Sequence, residues 1–199
     1  MPNHHGEPAI TDGLALTEKR LLSLDARKIV RSFAPEDFAK LPETLLNGDL
    51  ISDALKVTPF VLPLRDAVWW GCLCAWHASN RKTSGVQHDL IETVVRWVIE
   101  PSRPQLQEVG GAWRADRLRT PGGCCARAAE LAGRLSDDQT TLKPRNAFGA
   151  AKTLVAASQM ALVAAHRNAV AVSETQLVLF GLDVATGRAT WEQPETIVP

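Results

Sequence analysis

The sequence predicts an all-α fold, a single irregular and partly orthogonal bundle of about six to eight helices gathered around one buried helix at 63–80. Three observations predict it. Residues 63–80, PLRDAVWWGCLCAWHASN, carry no charge from Ala67 to Trp76, and three tryptophans and two cysteines crowd that window. A surface helix shows one apolar stripe, whereas a helix apolar on every side belongs inside a core. Segments on both sides repeat apolar residues at helical spacing between prolines, capping residues and glycines. No segment alternates as a half-buried strand does, and Leu177-Val178-Leu179-Phe180 is short and lies directly behind a capping sequence.

The elements follow in order. Residues 1–16 read as a flexible tail rich in Gly, Pro, Asn and His, with the His4-His5 pair inside it; 17–187 read as one helical domain and 188–199 as an extended end. Ser23 caps a helix with Ala26, Ile29, Val30 and Phe33 on one face, ended by Ala34-Pro35. Pro42, Asn47-Gly48, Pro59 and Pro63 cut the next stretch into short pieces, among them one helix of about two turns near Leu50–Leu55. After the central helix, residues 87–100 place Leu90, Ile91, Val94, Val95, Trp97 and Val98 inward, with Glu92 and Arg96 outward at i,i+4. Ser102 caps a helix through about Trp113, weakened or bent at Gly110-Gly111. Thr120-Pro121 opens another through about Leu135. Residues 145–167 form the longest helix, and its many alanines let it pack closely on the central one. Ser173 and Gln176 match a capping box, and Gly187 ends the last helix.

Composition narrows the function classes. At 199 residues the chain can bury one sizeable core. Lys plus Arg and Asp plus Glu number 22 each, so the formal charge is zero, which disfavours a nucleic-acid partner. The densest basic group, Arg114, Arg117 and Arg119, is interrupted by Asp116 and reads as a solvated helix end. The first residues lack the basic start and apolar run of a signal peptide. Ala147–Ala165 comes nearest to a membrane span but is interrupted by Lys152, Ser158 and Gln159. Four cysteines, two inside the buried helix, suit reduced thiols in a cytoplasm.

The candidate chemistry is sparse. Cys72 and Cys74 lie about 200° apart around a helix and cannot share a metal ion there. Cys74 and His77, at i,i+3, share a face and supply at most half a zinc site, to be completed by Cys124, Cys125 or His88. Buried cysteine acting as a small hydrophobe is the plainer reading. Cys124 and Cys125 follow Thr120-Pro121-Gly122-Gly123 into a helix N-terminus, where a thiolate is favoured, so they are the reactive-thiol candidates. His77 and His166 near helix ends read as caps, and the Asp137-Asp138 doublet as solvated loop. The glycine-rich GGAW at 110–113 and PGGCC at 121–125 lack the P-loop lysine. Trp69, Trp70, Trp76 and Trp97 are assigned to the core. Trp113 and Trp191 are the interaction candidates, because an exposed tryptophan can anchor an interface.

The run RDAVWWGCLCAW, residues 65–76, resembles the most recognisable segment of an uncharacterised family of bacterial helical proteins. The Val-Arg-Trp-Val of 95–98 followed by Pro101, and FGLDVATG at 180–187, are similar to segments of the same family. The resemblance implies a helical fold over about residues 20–187 and no particular activity; association with secretion-system gene clusters is part of what it implies. PGGCC and residues 137–143 lie outside it. The expectation is therefore a non-enzymatic cytoplasmic accessory or adaptor protein that binds another protein, with no cofactor, no nucleic acid and no membrane span. The alternative is a thiol- or metal-dependent enzyme or sensor using Cys124/Cys125 or Cys74/His77.

Overall fold

The computed structural model of the chain describes residues 21–81, 85–134 and 144–189. Among the described residues there are nine α-helices, one 3-10 helix and no strand. The helices are α1 (Leu24–Ser32), α2 (Leu41–Asn47), α3 (Ile51–Val61), α4 (Leu64–Ala78), α5 (Val86–Ile99), α6 (Arg103–Asp116), α7 (Pro121–Gly133), α8 (Pro144–Arg167) and α9 (Glu174–Ala185), with the 3-10 helix at Pro35–Lys40. The all-α expectation holds, and the count exceeds six to eight because residues 41–61 form two helices.

Local chemistry sets the helix starts. The Ser23 hydroxyl accepts from the Ala26 amide at 3.2 Å, and Thr120 accepts from Gly123 at 3.0 Å. Ser173 and Gln176 form the reciprocal capping box. Gly187, with φ +69°, takes the left-handed turn after α9 that a side chain would strain. Pro59 lies inside α3 rather than ending it. It falls in the last turn, where its missing N–H costs one helical bond to the Leu55 carbonyl, and the Thr58 hydroxyl beside it donates to the Ala54 carbonyl at 2.9 Å.

Helix α4 is the centre of the bundle. Eleven of its 15 residues are buried, so no face is left to solvent. It packs on α3, α5, α7, α8 and α9. Trp70 is fully buried and donates its indole N–H to the Leu177 carbonyl of α9 at 2.8 Å. The face of Ala67, Gly71, Cys74 and Ala78 is wholly buried. At Gly71 a Cβ would stand 2.6 Å from Leu154 Cδ2 of α8 and 3.2 Å from Cys125 Sγ of α7. The small residues form a groove that two neighbours enter. Helix α8 buries Ala150, Ala151, Leu154, Ala157, Ala161 and Ala165, in keeping with close packing on α4.

Two sequence expectations change here. The helix capped by Ser102, expected to run through about Trp113, extends to Asp116. Arg117 and Leu118 then take left-handed backbone, and the Asp116 carboxylate accepts from the Arg119 and Thr120 amides and the Thr120 hydroxyl. That buried carboxylate joins the end of α6 to the cap of α7. Residues 145–167 are, by length and hydropathy alone, sufficient to cross a membrane despite Lys152, Ser158 and Gln159. Burial of one face against α3, α4 and α7 accounts for the same composition.

Two glycines separate packing from propensity. At Gly181 a Cβ would meet Thr58 Cγ2 at 2.3 Å, and Thr58 is buried, β-branched and held by its hydrogen bond. At Gly111 nothing lies within 4 Å. Both are helix interiors, so alanine gains about 0.5–1 kcal/mol of backbone propensity at each. Gly111→Ala is expected to raise the unfolding free energy read from urea titration, and Gly181→Ala to lower it by about 1–2 kcal/mol net, as overpacking exceeds propensity. Shifts of the same sign would contradict this packing of α9 on α3.

Candidate functional site

The described surface offers a cleft of about 480 Å³ beside the N-terminal end of α4. Its walls come from α2, α3, the first turns of α4, the last turn of α5 and α9, with Pro42, Leu62, Trp69, Val98, Ile99 and Leu182 among them. Asp66 is the single charged residue of the lining. Arg65, which the sequence leaves in need of an acceptor, donates through Nη2 to the Val98 carbonyl and, at 3.5 Å, to the Ile99 carbonyl. A cation there satisfies the C-terminal carbonyls of α5 and fixes that helix end against α4. Ile99 is consequently held at the rim with 63 % of its surface exposed. The cleft is of ligand-pocket size and mostly apolar, suited to holding apolar side chains.

The cysteines face inward. All four are free and buried. Cys125 is hydrogen-bonded to Cys72, and that bond together with burial pushes its thiol well above the usual range. Burial raises Cys74 likewise, with Cys125 its electrostatic neighbour. The two α4 cysteines, 200° apart by helix geometry, thus both border Cys125 of α7. Cys124 donates to the Met160 sulfur at 3.7 Å, and burial, then Cys125 and Asp116, push its thiol up to about 12. The helix N-terminus that was expected to favour a thiolate is outweighed by desolvation.

Cys74 and His77 look to different neighbours. The His77 ring lies on Phe180 of α9 with centroids 4.2 Å apart. Burial, reinforced by Arg81, lowers its imidazole below the ordinary value. Among the described residues no group of three His, Cys, Asp or Glu side chains is arranged to hold a metal ion.

Trp113 is half-buried in α6 and donates its indole N–H to Glu130 Oε2 at 2.7 Å. Glu130, on α7, is 6 % exposed. Its Oε2 also accepts from Arg127, and its Oε1 from Arg114 and, at 2.9 Å, from Arg134. Burial alone would raise this carboxyl, but the four donors, Arg134 foremost, hold it down at about 2. Arg114 and Arg127 lie over the Trp113 ring at 5.0 and 4.5 Å from its centroid. Arg114, in the last turn of α6 and exposed as its reading as a solvated helix end expects, also joins this cluster. Gly110 makes room for it, since a Cβ there would stand 3.0 Å from Glu130 Oε1. Trp191, His4, His5 and Asp137-Asp138 lie outside the described residues.

The Glu130 cluster and the cleft were not read from the sequence. The i,i+3 and i,i+4 spacing of Arg127, Glu130 and Arg134, with a glycine inside the preceding helix, is the one available signal for the cluster. The cleft gathers residues from five α-helices, spread between Pro42 and Ala185, and has no local signal.

The model of a family described as "Family of unknown function (DUF6931)" matches residues 41–185. No curated protein and no solved structure matches the chain.

Burial sets an expectation for thiol chemistry. In the native chain near neutral pH all four cysteines should react with a thiol reagent far more slowly than a free thiol, with rates that rise in parallel as urea opens the fold. One cysteine reacting at the rate of an exposed thiol before unfolding would contradict the burial of these thiols.

Proposed function

The chain belongs to the DUF6931 family, a family of unknown function, and from its own geometry we propose that it is a non-enzymatic cytoplasmic accessory or adaptor protein that binds another protein. The observation that carries the proposal is the cleft beside the start of α4. Its occupant is an apolar segment of a partner chain. The volume accommodates a few apolar side chains, the lining is mostly apolar with Asp66 its one charged residue, and Ile99 is presented at the rim rather than buried. The resemblance of residues 65–76 to bacterial helical proteins supports a place in a larger bacterial assembly, such as one encoded beside secretion-system genes. A thiol- or metal-dependent activity draws less support, because the thiols are buried and raised and His77 is stacked on Phe180.

A random-peptide library displayed on phage and selected against the intact chain tests this. Selected peptides should share an apolar motif. Their synthetic versions should bind at least about tenfold more weakly to Ile99→Asp and to Ala185→Arg, two exposed cleft positions whose substitution spares the core. Val163→Asp, equally exposed on α8, should bind as the native chain does. Peptides with no apolar motif, or binding indifferent to both cleft variants, would overturn the proposal. So would binding gained only after deletion of residues 190–199, which would assign the cleft to the chain's own end.

A further inference from the structure

We propose that the cluster of Arg114, Arg127 and Arg134 around Glu130 and Trp113 is a second binding surface, one that takes an acidic segment of a partner protein. The inference rests on the reading that the partner is a protein, but it uses different helices, residues and chemistry from the cleft.

The charge balance is the first argument. Three guanidiniums meet on one buried carboxylate, leaving two positive charges in excess at one place on a chain whose formal charge is zero. Tying α6 to α7 needs only one ion pair, and the further cations repel one another. Their excess charge is matched when an anion arrives. Donor capacity is the second. Among the described residues each of the three arginines spends one of its five N–H donors on Glu130. The side chains of Arg114 and Arg134 are 53 % and 47 % exposed, so their remaining donors face solvent. A guanidinium presents these donors as a planar fork that fits a carboxylate with two parallel bonds.

Preorganisation is the third. Arginine side chains normally lose rotamer freedom when they bind. Here Glu130 fixes each head group, and the Trp113 face holds Arg114 and Arg127 in their planes. Glu130 is itself fixed by four donors, and Gly110 leaves it the space. The ordering is therefore already done before a ligand arrives, which favours affinity. Glu130 and Trp113 act as positioning residues, and the arginines make the contact. Recognition of adjacent carboxylates by such an arginine cluster is a recurring mode of peptide binding.

The test measures binding of a fluorescein-labelled hexaglutamate peptide to the full chain by fluorescence anisotropy. Binding is expected at low salt, weakening as salt rises. The double variant Arg114→Gln/Arg134→Gln, which keeps Glu130 bonded to Trp113 and Arg127, should lose at least about tenfold in affinity while still melting cooperatively. Arg96→Gln is the matched control, since Arg96 is 52 % exposed and paired with Glu108; its affinity should equal that of the native chain. Equal loss in Arg96→Gln would reduce the effect to nonspecific charge and overturn the proposal. No binding by the native chain at low salt would overturn it as well. Displacement of the peptide by inorganic phosphate well below millimolar concentration would assign the cluster to a small oxyanion instead. The cleft variants are absent from this experiment, so either proposal fails without the other.

Discussion

The structure depends on Trp70 being able to sit, fully buried, in the middle of a helix with no polar face. An indole can be buried at little cost only if its N–H finds an acceptor, and here the acceptor is the Leu177 carbonyl, 107 residues away in the last helix. That one bond fixes which helix covers α4 on this side. Gly181, one turn further along α9, lets that helix close on α3, because a Cβ there would stand 2.3 Å from Thr58 Cγ2. The opposite approach is governed in the same way by Gly71, which admits Leu154 of α8 and Cys125 of α7. Tryptophan is the large knob, glycine and alanine are the holes, and the order of helices around α4 follows from where each falls.

Polar groups inside this bundle are spent on joining elements. Asp116 gathers three donors and turns α6 into α7. Arg65 closes the end of α5. Glu130 binds α6 to α7 and is kept ionised by its donors, with its carboxyl held down at about 2 despite burial. The thiols show the opposite balance. Burial raises Cys124, and the hydrogen bond with Cys72 together with burial raises Cys125, so the helix N-terminus does not favour a thiolate here. The two proposed binding surfaces, the apolar cleft and the arginine cluster, accordingly draw on surface groups rather than on the buried thiols.

Much of the fold was legible because it is encoded locally. Ser23, Thr120, Ser173 and Gly187 mark helix ends by chemistry that acts within four residues. The uncharged run from Ala67 to Trp76 places α4 inside by composition alone. Pro59 misled, since a proline in a last helical turn and a proline between helices read alike in sequence. Gly110 reads in sequence only as a weak point of its helix, because the group its missing side chain makes room for, Glu130, lies on another helix 20 positions away. Trp113 was marked as an exposed anchor, yet its indole N–H is used inside the chain. Arg114 and the cleft residues Ile99 and Leu182 owe their setting to tertiary packing, which leaves no mark on spacing.

The central claim is that burial of α4 on all sides organises everything else, including the rim of the cleft at its first turn. Native-state hydrogen exchange resolved by residue tests it most directly. The account predicts that amides from Val68 to Ala75 exchange last in the chain, through global unfolding, with those of α8 around Leu154 in the same class. It also predicts that α1 and the solvent-facing side of α6 open earlier. Exchange in α4 that is faster than in α6, or independent of global stability, would contradict it.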